Sequence, residues 1–358
     1  MNEYRVAVIP GDNIGPEVVA EGLRVLREME AAGICRFTFE TFPWGARQVL
    51  ATGRAAPENL VEILQPFDAI YMGAHGDPAH VPDRFASQQL MHPIRKGLDL
   101  YANVRPVKWW PGTEIPLKQT SPIDFVVVRE NTEGEYSNTG GSVHAGTEDE
   151  VAIMATVITR RGAERIMRHA FETARKRNGK KYVHCVTKSN ALAHVMVLWD
   201  DVFAAVASHY PDVRTSKAHV DATSMYVITR PSTFDVLVAT NLMGDVISDE
   251  SSAATGSIGL APSANVNPER PRPAMFEPIH GSAPDIAGQQ KANPTAAILA
   301  AAMMLDWLGE SEAAKAIERS VGRVLEQRKS VTPDLGGTAT TSQVTDAILD
   351  ELGLALRA

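Results

Sequence analysis

The chain has 358 residues, 35 Lys and Arg against 43 Asp and Glu, a formal net charge of −8, and 44% hydrophobic residues. This is a globular composition, too apolar for a disordered chain and long enough for about two domains of roughly 100–200 residues each. An acidic chain with no long basic run is a poor nucleic-acid binder, and no stretch reaches the roughly 18 apolar residues of a membrane helix, the longest candidate, Ala296 to Leu305, stopping at Asp306.

In chain order, Arg5 to Ile9 has the character of a short buried strand. Pro-Gly-Asp-Asn-Ile-Gly follows, and then a helix with Pro16 in its first turn and Val18, Val19, Leu23, Leu26 and Met29 at helical spacing. Phe37 and Phe39 mark a second strand, Ala69 to Met72 a third and Asp124 to Val128 a strongly buried one. Val151 to Thr159 reads as a strand or arm, and Arg161 to Arg177 as a helix. Tyr182 to Val186, Phe234 to Thr240 and Ala274 to Phe276 read as strands, Pro294 to Leu308 and Glu312 to Gln327 as helices, and the Pro-rich stretch Asn265 to Pro273 as a loop. This alternation predicts an α/β fold with a substantial parallel sheet. There is no internal repeat and no visible linker, which suits one domain inserted into another. Cys35 and Cys185 form neither a disulfide framework nor a zinc pattern and read as reduced, packed thiols. The N-terminal Met-Asn-Glu-Tyr-Arg lacks the pattern of a signal peptide, so a cytoplasmic location is expected.

Five groups of residues could carry chemistry. Asp245 and Asp249 stand four apart, so on a helix both carboxylates share one face. They suit a hard divalent cation, or else belong to an acidic helix start. Arg95 and Arg105 flank Leu98 to Asn103, and Arg129 ends the strand before it. A guanidinium at the C-terminal end of a strand matches a carboxylate ligand, though surface ion pairs use arginine too. Arg129 to Tyr136 is a polar run after a buried strand, in which Tyr136 is either a proton donor or a packing residue. Lys188, after Tyr182 to Val186, could act as a base at a strand end, and Asp221 is equally open. His280 to Gly288, with Asn293, is a Gly-containing loop before a helix that could cradle a nucleotide. No Gly-x-Gly-x-x-Gly opens a helix after a strand, so a nicotinamide cofactor would need a different dinucleotide site.

Taken in order, Ile9-Pro-Gly-Asp-Asn-Ile-Gly-Pro-Glu17, Tyr101-Ala-Asn-Val-Arg-Pro106, Arg129 to Tyr136, Thr187-Lys-Ser-Asn190, Gly244-Asp-Val-Ile-Ser-Asp249 and His280 to Gly288 resemble the β-decarboxylating dehydrogenases, a family that includes isocitrate, isopropylmalate, homoisocitrate and tartrate/D-malate dehydrogenases. The resemblance spans nearly the whole chain. It implies an isopropylmalate-dehydrogenase-like two-domain fold, with residues 104–255 inserted into a cofactor domain made of residues 1–103 and 256–358. It also implies a homodimer with shared active sites, in which Lys188 and Asp221 serve the neighbouring subunit.

The implied chemistry is oxidation of a 2-hydroxy acid by NAD with loss of the β-carboxylate as CO₂. Asp245 and Asp249, with Asp221 of the partner subunit, would hold Mg²⁺ or Mn²⁺; K⁺ is a further cofactor to consider. Lys188, assisted by Asp221, would take the hydroxyl proton, and Tyr136 would protonate the enolate carbon. Arg95, Arg105 and Arg129 would hold the malate carboxylates. His280, Gly281, Ser282, Ala283, Asp285, Ile286 and Asn293 would bind NAD, and Asp285 and Ile286 stand where NADP-using relatives carry Lys and Tyr. A carboxylate accepts from a ribose 2′-hydroxyl and repels a 2′-phosphate, which favours NAD.

Specificity should lie before Arg95, where Gln88, Met91 and His92 replace the pattern of isopropylmalate enzymes; His92 could meet a polar end group or simply pack. Asp83, the Glu133 to Ser137 run and Ala261 to Glu269 are similar to tartrate/D-malate dehydrogenases, which implies D-malate or tartrate as substrate. The alternatives are 3-isopropylmalate, dimethylmalate or homoisocitrate. Asn13 departs from the family's usual glycine, as do His75, Asp77 and Met243 from theirs. Two readings of other classes are a non-catalytic NAD-binding relative and a metal-dependent lyase or prenyl-type enzyme using the aspartate pair. The α/β pattern disagrees with the second.

Overall fold

A computed structural model describes residues 1–118, 121–270 and 272–357; Pro271, inside the expected Pro-rich loop, lies outside the described residues. The strands are β1 (Asn2–Ile9), β2 (Cys35–Thr41), β3 (Ala69–Met72), β4 (Ala102–Lys108), β5 (Asp124–Glu130), β6 (Gly134–Val143), β7 (Val151–Val157), β8 (Tyr182–Thr187), β9 (Arg214–His219), β10 (Val236–Ala239), β11 (Pro262–Val266) and β12 (Ala274–Pro278). The chain divides into two compact units, the first made of Met1–Leu100, Lys108–Thr120 and Ser252–Ala358, the second of Tyr101–Val107 and Ser121–Ser251.

In the first unit the strand order is β2-β1-β3-β12-β11. All neighbours are parallel except β11, which runs against β12. The strands β1 and β3 end as unbroken apolar runs with both faces covered, as buried parallel strands require. Helix Gly15–Ala31 starts with Pro16 in its first turn and buries Val18, Val19, Val25, Leu26 and Met29. Helix Thr295–Leu308 is buried along nearly its whole length, which explains why its sequence is apolar all round. No helix of the described residues is long and apolar enough to cross a membrane.

The second unit orders its strands β4-β5-β10-β8-β9, with β5, β10, β8 and β9 parallel, and carries the separate antiparallel hairpin β6–β7. Helix Arg160–Arg177 packs Ile166, Met167, Ala170, Phe171 and Ala174 inward at helical spacing. Thr159 caps it by accepting from the Gly162 amide at 3.0 Å, and Asn178 ends it in the left-handed region.

Several expectations need adjustment. Segment 108–118 belongs with the first unit, not with an inserted 104–255, because it lies on helix Ser311–Gln327. Trp110 meets the face where Gly322 leaves room, and Arg328 donates to the Gly112 carbonyl at 2.8 Å. Pro294 precedes its helix as the cap instead of opening it. The expected strand Phe234 to Thr240 shrinks to β10, since Thr240 is where the chain turns into helix Asn241–Ala254. Asn265 and Val266 are strand, not loop.

Candidate active site

In the second unit, helix Asn241–Ala254 presents Asp245 and Asp249 one turn apart, and β4 and β5 deliver Arg105 and Arg129 to that helix. Arg105 Nη1 donates to Asp245 Oδ1 at 2.9 Å, to Ser248 Oγ at 2.7 Å and to Asp249 Oδ1 at 3.4 Å, and its Nε donates to Asn103 Oδ1 at 2.7 Å. Arg129, 1% exposed, donates from Nε and Nη2 to Asn241 Oδ1 at 3.0 and 2.7 Å and from Nη1 to Asp245 Oδ1. The Tyr136 hydroxyl donates to Asp245 Oδ2 at 3.2 Å. Arg129 also lies over the Tyr136 ring, 5.6 Å from its centroid. Burial and the Asp245 carboxylate push the Tyr136 hydroxyl up, against the pull of Arg129, which keeps it protonated at neutral pH. Arg105, Arg129, Tyr136, Asp245 and Asp249 thus form one cluster of two fixed cations, two carboxylates and one neutral acid.

The run Arg129 to Tyr136 is a loop only at Asn131 to Glu133, since Arg129 ends in β5 and Tyr136 lies in β6. Its glutamates hold the scaffold. Glu133 accepts from the Thr159 amide at 2.8 Å and the Thr159 hydroxyl at 2.7 Å, at the start of helix Arg160–Arg177. Glu135 accepts from Thr240 Oγ1 at 2.9 Å and the Leu242 amide at 3.0 Å, at the start of the helix that carries Asp245. Buried Glu130 accepts from the amides of Thr132 and Glu133. The cap roles of Glu133 and Glu135 and the anchoring role of Asn241 were not read from the sequence.

Lys188 and Asp221 form a separate pair, Nζ to Oδ1 at 2.7 Å, at the C-terminal end of β8 and the start of helix Val220–Thr229. The lysine holds the Asp221 carboxyl below its ordinary range. Among the described residues no three His, Cys, Asp or Glu side chains gather as a metal site. The oxygens of Asp245 and Asp249 suit a hard divalent cation, and burial, together with the Asp245 charge, pushes Asp249 up despite Arg105. A cation would relieve that cost. Among the described residues this cluster offers two carboxylates.

The first unit carries the remaining expected residues. Arg95, from helix His92–Gly97, is buried and pairs with Glu277 of β12 at 2.8 Å, while Asn265 donates to the same carboxylate oxygen at 2.9 Å. Burial opposes ionisation of Glu277, but Arg95 holds it below the usual carboxylate range. His92 is half-buried in the first turn of that helix, and Met91 is buried in the π-helical turn Ser87–Met91 before it.

After β12, the loop from His280 to Asn293 leads into helix Thr295–Leu308. The Ser282 carbonyl accepts from the Ile14 amide at 3.0 Å, tying this loop to the first βα turn. Ile286 packs with Ile14, Val18, Ala292 and Ala297. Asn293 donates to Asp334 at 3.1 Å and accepts from the Thr295 amide at 3.0 Å, and Asp285 and Gly281 are exposed. His280 is 8% exposed, and its buried Nε2 has no hydrogen-bond partner, although Nδ1 meets the Gly281 carbonyl at 2.9 Å. A buried orphan donor or acceptor calls for a bound polar partner, and this loop fits a nucleotide on that ground. Gly11, at φ +79°, would place a Cβ 2.0 Å from the Ala74 carbonyl oxygen, so the first βα turn admits no side chain there. Asn13 sits at φ +53°, the left-handed region that glycine occupies freely and asparagine tolerates, and it donates to the Gly76 carbonyl at 3.0 Å.

A model of the isocitrate/isopropylmalate dehydrogenase family matches residues 5–348. The chain is 47% identical to "D-malate dehydrogenase [decarboxylating]" of Escherichia coli (strain K12), across 97% of this chain and 98% of that one. It is 46% identical to a "Probable tartrate dehydrogenase/decarboxylase" of Bacillus subtilis (strain 168), across 98% and 99%. Among solved structures, isocitrate dehydrogenase from Methylococcus capsulatus superposes with a TM-score of 0.88 at 37% identity, covering 98% of this chain and 99% of that one. On a match that runs through both units, the chain belongs to the isocitrate/isopropylmalate dehydrogenase family.

Proposed function

We propose that this protein oxidises a malate-type 2-hydroxy acid, D-malate or tartrate, with NAD and releases its β-carboxylate as CO₂. The observation that carries this reading is the cluster in which Arg105 and Arg129 converge on Asp245 while Tyr136 donates to the same carboxylate. Cations fixed on adjacent strands suit a dicarboxylate, and a neutral phenol beside them suits proton delivery. The relatives named for D-malate and tartrate narrow the substrate class.

When bound, a divalent cation at Asp245 and Asp249 supplies Lewis-acid charge for the 2-hydroxyl and the nicotinamide supplies the hydride acceptor. The work of the chain is to bind and to move protons. Arg105 and Arg129, with Arg95, hold the substrate carboxylates, and His92 faces the C3 substituent. The partner subunit's Lys188, oriented by the partner subunit's Asp221, takes the hydroxyl proton. Tyr136 gives its proton to the carbon from which CO₂ has left. His280, Gly281, Ser282, Ala283, Asp285, Ile286 and Asn293 bind NAD, with the exposed Asp285 carboxylate accepting from a ribose 2′-hydroxyl.

A homodimer is part of the same reading. Helices Val220–Thr229 and Asn241–Ala254 expose Met225, Ile228, Leu242 and Val246, and the hairpin β6–β7 exposes Val143, Val151, Ile153 and Met154. Large apolar side chains in such groups mark an association surface.

An assay across D-malate, tartrate, 3-isopropylmalate, homoisocitrate and isocitrate with Mn²⁺ or Mg²⁺ tests the reading through NADH absorbance. D-malate or tartrate should give the highest kcat/KM, and NAD should exceed NADP. Preference for a bulkier C3 substituent would move the substrate, and NAD binding without turnover of any of these acids would make the chain a non-catalytic relative.

A further inference from the structure

A cavity of about 480 Å³ opens in the second unit, at the N-terminal end of β8 and along β9. Tyr182, Ser216, Arg214, Tyr226 and Arg230 are among its lining residues, and no Asp or Glu lines it. Its floor is a closed polar network. Buried His184 meets Ser216 Oγ at 2.6 Å through Nδ1 and Thr223 Oγ1 at 3.0 Å through Nε2, and the Tyr182 hydroxyl meets the same Ser216 oxygen at 2.5 Å.

The two arginines differ from those of the chain that are paired with acids. Arg24, Arg105, Arg129, Arg168, Arg175 and Arg177 all reach carboxylates. Arg214 and Arg230 reach none among the described residues, and each instead lies over a tyrosine ring, Arg214 at 5.2 Å from the Tyr182 centroid and Arg230 at 3.7 Å from that of Tyr226. Stacking occupies the face of a guanidinium and leaves its N–H edges free to donate. Two pre-oriented forks at one cavity, with no acid to neutralise them, make a receptor for a polyvalent oxyanion. The volume falls in the range of roughly 300–1,000 Å³ typical of small-molecule sites.

We propose that this cavity binds the phosphate group of a small phosphate-bearing molecule between Arg214 and Arg230. The two arginines take no part in the proposed reaction, so the inference stands apart from the substrate assignment.

Isothermal titration of inorganic phosphate and of AMP into the full-length enzyme, saturated with NAD, tests it. One phosphate per chain should bind, at least tenfold more weakly in Arg214→Ala and Arg230→Ala. Arg214→Lys and Arg230→Lys should fall between, since a lysine keeps the charge and loses the fork. Turnover in phosphate-free buffer should be the same in all four variants, which also reports that they fold. Tighter binding of AMP than of phosphate, lost in the same variants, would identify a nucleotide as the source of the phosphate; equal binding would leave free phosphate as the ligand. Absence of saturable binding, or binding of equal strength in all four variants, would overturn the proposal.

Discussion

Gly244 lies against Arg129 so closely that a Cβ built on it would stand 2.8 Å from both Cβ and Cγ of the arginine. The first turn of helix Asn241–Ala254 therefore fixes the arginine's stem while Asn241 and Asp245 fix its guanidinium. Gly244→Ala should push Arg129 off its position. We expect kcat/KM for the 2-hydroxy acid to fall about 10²-fold, the usual consequence of displacing a positioning group by about an ångström. Stability should fall by only ~1–3 kcal/mol, the cost of overpacking. Steady-state kinetics beside a denaturant titration would check both, and an unchanged kcat/KM would remove Arg129 from substrate binding.

Asn13 offers a test of backbone conformation. At φ +53° it occupies ground that a β-branched residue enters at a cost of ~1–2 kcal/mol. Asn13→Gly and Asn13→Val both lose the hydrogen bond to Gly76. Only the second adds backbone strain, so the valine variant should be the less stable by about that amount in urea unfolding. Equal stabilities would mean that the turn relaxes.

The pair Asp245 and Asp249 predicts a metal-dependent melting temperature. Mn²⁺ at about 100 times its Kd should stabilise the folded enzyme by ~2.7 kcal/mol, and EDTA should reverse the shift. Asp249→Asn should lose most of it while keeping the fold, because Asp249 is half exposed and its contact with Arg105 is long, at 3.4 Å. A full Mn²⁺ shift in Asp249→Asn would place the ion elsewhere.

Two buried histidines contribute to the expected response to mild acid. Burial first, then Lys176, pushes His169 down to about 4, and burial with Arg230 does the same to His184. The unfolded chain takes protons on these groups near pH 6.5 while the folded chain resists. Their contribution to stability is therefore complete above about pH 6.5 and is lost as the pH falls toward 4. His169→Gln should flatten the slope of unfolding free energy across that window by about 1.4 kcal/mol per pH unit, one proton's worth. Denaturant titrations at pH 4.5, 5.5 and 6.5 would show it, and an unchanged slope would contradict it.

How much of this was legible depends on range along the chain. Strand β3 follows from an unbroken apolar run, and the shared face of Asp245 and Asp249 follows from their spacing of four once the segment is helical, as it is. Asn13 looked like a departure from the family pattern and proves to be a residue that tolerates the same left-handed backbone. The caps were not legible, because Glu135 serves a helix that begins more than a hundred residues later and nothing local marks that pairing. The Lys188–Asp221 contact was available only through resemblance to a family, since 33 residues separate the two and no spacing rule pairs them. The unit boundary after β4 was missed because Trp110 and Gly112 settle on helix Ser311–Gln327, a contact set by fit and not by composition.

In the proposed function, oxidation and decarboxylation are one reaction with Tyr136 as its acid. The most direct test is to measure NADH, CO₂ and 2-oxo acid together as the enzyme turns over D-malate with Mn²⁺, in the wild type and in Tyr136→Phe. The wild type should give NADH, CO₂ and pyruvate in equal amounts. In the phenylalanine variant, overall turnover should fall by 10²-fold or more, within the roughly 10²–10⁴-fold worth of a positioned acid. NADH formed without matching CO₂ in the wild type, or full turnover in Tyr136→Phe, would contradict it.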